Sequence, residues 1–177
     1  MSNDTITLEM VEALAAQIEA DEAAQADRLK RLIKAEARIA QNRQPEKFRR
    51  RATRKVSGDS DGSYPPDVEY QDYSGPKSLL VRKIEDECVR TSSGFYYDYR
   101  ISTAAPGLCV GTDGAVYLAA IEGTGHFGQF PAHPGDCDID AEITFDRASL
   151  DSLDLPDLRE IESSLRQVAF PHAAMSN

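Results

Sequence analysis

Four side chains have the chemistry of a zinc site: Cys109, His126, His133 and Cys137. Thiolates and imidazoles are the ligands that hold Zn²⁺ in a tetrahedral shell. Their spacing argues the other way. The His-x₆-His-x₃-Cys run matches no common ligand knuckle and no CxxC pair is present, so the four read as core thiols and surface histidines. The acidic run from Asp136 to Glu142 fails as a calcium loop, because its sixth and twelfth positions are Ala141 and Arg147 where Gly and Glu are needed. No Walker loop, GxGxxG or GxSxG occurs. A Cys–His nucleophile pair would draw on the same four residues, and nothing in the spacing brings them together. The expectation is a protein that is not an enzyme and carries no cofactor.

A second chemistry is electrostatic. Arg49, Arg50, Arg51, Arg54 and Lys55 lie close together, with Arg43, Lys47 and Phe48 just before them. Such a cluster neutralises phosphates and binds DNA or RNA in a salt-sensitive, sequence-blind way. It serves equally as a tether for an acidic protein surface. Residues 1–55 hold 12 Lys/Arg against 9 Asp/Glu, whereas residues 56–177 hold 8 against 21. The formal net charge of −10 therefore hides a basic block. An acidic half would be repelled by nucleic acid unless held away from it.

These groups need elements to position them. Residues from about 7 to 42 are predicted as one helix, rich in Ala, Glu, Gln, Leu, Lys and Arg, with no Gly or Pro before Pro45. Thr5 or Thr7 can cap it. Its apolar stripe runs Val11, Leu14, Ile18, thins around Gln25, and resumes at Leu29, Leu32, Ile33 and Ile39. The positions 11, 18, 25, 32 and 39 are heptad-spaced with a polar residue in the middle, as in a coiled coil with a register-setting site. So narrow a stripe needs a neighbour, either another copy or a protein partner.

Residues 57–77 are rich in Gly, Ser, Pro and Asp and read as a flexible linker, although Tyr64, Tyr70 and Tyr73 could strap it to a surface. Beyond it, Phe95–Ser102 and Asp138–Phe145 alternate as half-buried strands. Thr112-Asp113-Gly114 separates two apolar runs as a hairpin turn. Ser78–Val89 is ambiguous, since Leu80, Ile84 and Cys88 fit a helix while Leu79–Ile84 would make a strand, and a short strand is expected at His126–Phe130. Pro156 opens a helix whose apolar face is Leu158, Ile161, Leu165 and Val168. The alternation on the second strand puts Asp138, Asp140 and Glu142 on one solvent face.

The sum is an α+β chain: a long helix over 1–43, a basic arm over 44–56, a linker over 57–77, a small acidic domain with an antiparallel sheet of about four strands over 78–170, and a tail over 171–177. No stretch approaches the ~20 apolar residues that span a bilayer, and the N-terminus lacks the layout of a signal peptide. A soluble cytoplasmic protein without membrane contact is expected. Its expected role is binding or assembly through the helix and the arm, as in accessory parts of larger complexes such as phage or mobile-element machinery. A nucleic-acid-binding accessory factor is the alternative, and a Cys/His metalloprotein stands third.

Overall fold

A computed structural model describes residues 7–50, 57–59, 67–69, 75–91, 96–128 and 137–171. The first element is α1, Leu8–Arg43. Thr7 caps it, its hydroxyl accepting from the Met10 N–H at 3.3 Å. Glu9 lies in the first turn and Arg43 in the last, where the helix dipole favours each sign. Pro45 drives the preceding residue out of the helical region, and Gln44 has φ −140°. A single 3₁₀ turn, Pro45–Lys47, follows.

Two short strands, β1 (Ser57–Asp59) and β2 (Asp67–Glu69), pair antiparallel. They fall inside the segment expected as linker. The main sheet has six strands: β3 (Ser78–Arg82), β4 (Glu85–Arg90), β5 (Tyr96–Ala105), β6 (Gly107–Gly111), β7 (Val116–Gly128) and β8 (Cys137–Ala148). β7 is its axis. One edge pairs with β8 in unbroken register from Val116↔Ala148 to Phe127↔Cys137. The other edge pairs first with β6 and then with β5. β3 lies outside β6, and β4 outside β5.

The six strands are thus four long ones, two of them stepped. Between the pairs Ser102↔Glu122 and Gly107↔Ala119 the chain takes five steps against three on β7, so two extra residues bulge out at Thr103–Pro106. Pro106 has no N–H to give to the ladder. Thr103 bridges the gap: its hydroxyl accepts from the Ile121 N–H at 2.7 Å and donates to the Ile121 carbonyl at 3.0 Å. The helix-or-strand ambiguity over Ser78–Val89 resolves as two strands, β3 and β4, broken at Lys83–Ile84, because β6 and β5 supply partner edges. Of the strand expected at His126–Phe130, residues 126–128 are the end of β7 and residues 129–130 lie outside the described residues.

Alternation along β7 gives the sheet two apolar faces. Val116 points with Leu79, Leu108 and Val110 toward the helices. Ala119 and Ile121 point the opposite way, into a second cluster with Ile101, Ala141 and Ile143. Gly123 lies in this second layer, where an added Cβ would overlap the Asp140 carbonyl oxygen and the Ala141 backbone. At the β6–β7 turn Gly114 has φ +82°, which glycine adopts without cost, and it sits close under Lys34 of α1.

The last element is α2, Leu155–Ala169, capped by Asp154, whose carboxylate accepts from the Asp157 N–H at 2.8 Å. Leu158, Ile161, Leu165 and Val168 are all buried, as their 3.6-residue spacing requires. α1 enters the same core through Ile33, Ala37 and Ala40. Two alanines on that face let α1 lie close to its neighbours.

Candidate functional site

The two halves of α1 live in different surroundings. From Ala26 onward the helix is tied to the body. Leu29 and Ile39 pack against the core, Gln25 accepts from Arg159 of α2 at 2.8 Å, and Lys30 pairs with Asp151 at 2.8 Å. From Thr7 to Gln25 every side chain is exposed. At 1.5 Å per residue this free half is roughly 25 Å long. It carries large apolar side chains in the open: Leu8, Met10, Val11, Leu14 and Ile18 are 50–73% exposed. Val11, Leu14 and Ile18 are spaced i, i+3, i+7, the anchor pattern of a helix that lies in a groove. The six predicted interface residues therefore divide. Val11, Leu14 and Ile18 stand free, Leu29 and Ile39 serve the body, and Leu32 is half-buried between the two settings.

The basic segment is more anchored than its composition suggests. Phe48 is 1% exposed and joins the core shared by α1, α2 and the sheet. Arg43 donates to the Ala169 carbonyl at 2.9 Å and its guanidinium lies 5.3 Å from the centre of the Phe170 ring, clasping the end of α1 to the end of α2. The Arg49 carbonyl accepts from the Ser78 N–H at 3.2 Å, so the chain leaves this core along the edge of β3. The side chains of Lys47, Arg49 and Arg50 face solvent. Among the described residues neither guanidinium of Arg49 and Arg50 forms an ion pair. Arg51, Arg54, Lys55, Tyr64, Tyr70 and Tyr73 lie outside the described residues.

The metal candidates do not converge along the backbone. Cys109 stands opposite Tyr117 on β7, whereas Cys137 stands opposite Phe127. Ten residues at roughly 3.3 Å each separate those two levels. Cys109 is buried, and His126 is one step from the Cys137 level. His133 lies outside the described residues. Among the described residues no three His, Cys, Asp or Glu side chains come together as a metal site.

Two carboxylate groupings were not foreseen. On the open part of the helix-side sheet face, register aligns Glu87, Ser102, Glu122 and Glu142 in one row across four strands. The Ser102 hydroxyl donates to Glu87 at 3.2 Å, and Glu122 and Glu142 line a shallow depression with Thr144 and Ala120. The second grouping lies between the helices. Glu36 and Glu162 are both buried, and both are reached by Arg166, at 3.5 Å in the case of Glu36. Burial pushes the Glu36 carboxyl above its ordinary range, Glu162 pushes it further, and Arg166 partly opposes them. Its Oε2 is buried with no hydrogen-bond partner among the described residues. The sequence signal was present: Glu36 falls three residues after Ile33 and four before Ala40, on the face that turns inward.

Among the described residues, the exposed features are the open apolar side chains on the free half of α1, the solvent-facing bases beside Phe48 and the acidic row on the sheet. No protein-family model, curated protein or solved structure matches this chain.

Proposed function

We propose that this chain is a non-enzymatic assembly protein that presents the free half of α1 to a protein partner. The observation that carries the reading is the exposed row Val11, Leu14 and Ile18, continuous with a helix whose other half is fixed in a core. Exposed apolar residues scattered singly need no explanation, but a contiguous row on one helix face marks a contact surface. The body is then the mount, and Lys47, Arg49 and Arg50 add an electrostatic contact to a larger complex. Among the described residues no helix is long and apolar enough to cross a membrane. The test is recovery of the full-length chain from its native source beside an Ile18→Glu variant. A partner that accompanies the first and is lost with the second supports the reading, and equal recovery with both refutes it.

A second reading, contact with nucleic acid, is favoured by the solvent-facing side chains of Arg49 and Arg50, which form no ion pair among the described residues. Binding measured by fluorescence anisotropy should weaken steeply with salt and vanish when Arg49, Arg50, Arg51 and Arg54 become alanine. Absence of binding at low salt removes it.

A further inference from the structure

The charges of α1 are segregated more completely than a helix dipole requires. From Leu8 to Asp27 there are six acids (Glu9, Glu12, Glu19, Asp21, Glu22 and Asp27) and no Lys or Arg. From Arg28 to Arg43 there are six bases, and the single acid is the buried Glu36. The dipole acts only within the first and last turns. Of the bases, Arg28, Arg31, Lys34 and Arg38 are exposed. A helix divided in this way repels a parallel copy of itself and attracts an antiparallel one.

We propose that the free half of α1 docks on a second copy of this chain, antiparallel, beside the basic half of the partner copy's α1, with the two-fold axis at the level of Gln25. This deepens the assembly reading above and rests on it. The register follows from the sequence. About Gln25 the levels match as Val11 with Ile39, Ile18 with Leu32, Glu12 with Arg38, Glu19 with Arg31 and Glu22 with Arg28. At this register no like charges meet at the same level. Leu32 and Ile39 are only half-buried by their own body, so each keeps apolar surface to cover. Length supports the long overlap. A contact confined to Leu8–Ile18 would span roughly 16 Å and leave the bases of the other half unmatched. Overlap from Val11 to Ile39 spans roughly 43 Å.

The test uses the full-length chain. Sedimentation at about 100 µM should give a dimer that dissociates at least tenfold more readily in Ile18→Glu and weakens several-fold between ~50 mM and ~500 mM salt. Circular dichroism of the variant should be unchanged, since Ile18 is half exposed and belongs to neither core cluster among the described residues. Orientation is read by mixing Glu12→Cys with Arg38→Cys: a disulfide-linked dimer should form in the mixture and in neither variant alone. A dimer indifferent to Ile18→Glu, or cross-linking by Glu12→Cys alone, overturns the arrangement. A wild-type monomer overturns it too. If that monomer still loses a native partner on Ile18→Glu, the assembly reading stands and only self-pairing falls. If it does not, both fall.

Discussion

Replacing Glu36 by glutamine should make this protein more stable at neutral pH, although the change removes one member of an ion pair. At pH 7 the Glu36 carboxylate is buried between α1 and α2 beside a second buried carboxylate, Glu162, and one oxygen lacks a partner among the described residues. A buried acceptor left unsatisfied costs about 1–3 kcal/mol. The contact with the half-exposed Arg166 guanidinium returns only about 0.2–1 kcal/mol. Glutamine keeps the shape and one acceptor for Arg166, and its amide N–H can donate to Glu162 where a charge repelled it. The net gain is roughly 1 kcal/mol, a rise in Tm of about 2–4 °C for a chain of this size. The pH dependence identifies the cause. The folded value of Glu36 lies above its ordinary one, so the folded chain holds this proton more tightly than the unfolded chain. The wild-type fold therefore regains stability as pH falls through the raised folded value, and the gain is complete below the unfolded value. The advantage of Glu36→Gln should be full at pH 7 and close at about pH 4. Thermal unfolding of both proteins at the two pH values measures it. A variant less stable at pH 7, or an advantage independent of pH, would refute the reasoning.

Further outcomes follow from packing. Phe48→Ala, in the middle of a basic run, should cost roughly 3–4 kcal/mol and lower Tm by roughly 10 °C, because that ring is in the core; a shift under ~2 °C would show the ring to be dispensable. Gly123→Ala forces a methyl into the β8 backbone and should cost roughly 3 kcal/mol or more, visible as a broadened or lost cooperative transition in urea. Asp154→Ala removes the cap of α2 and should cost about 1 kcal/mol, with a matching fall in urea midpoint and no change in slope.

Local signals announced themselves in the sequence, and pairings did not. The cap at Thr7, the stop at Pro45 and the inward face of α2 each depend on residues within a turn or two, so they were legible. The run Ser78–Val89 was ambiguous because its spacing satisfies both periods, and only the edges of β6 and β5 decide between them. The step at Thr103–Pro106 and the break at Lys83–Ile84 turned four strands into six, and no composition signals a bulge filled by a threonine hydroxyl. Asp140 and Glu142 were read as solvent-facing from alternation, and they are exposed. Glu87 and Glu122 join them only through register. Arg43 was read with the basic cluster, and Glu36 carried no reading of its own. Their roles appear once α2 is known to lie beside them, because burial of one helix face depends on what covers it. Phe48 was grouped with its basic neighbours, and one aromatic ring outweighed their solubility in fixing where the chain runs.

The continuity of α1 bears on how readily its exposed end can be gripped. A detached peptide of that length would spend most of its time uncoiled, since starting a helix is the unfavourable step. Here the starting turns already exist, held by α2 and the sheet, and the outer turns simply extend them. A binder then meets a ligand whose shape is set beforehand, and little freedom is forfeited on contact. By the same coupling, loosening the core should blunt recognition at a distance, without any change in the surface that is recognised.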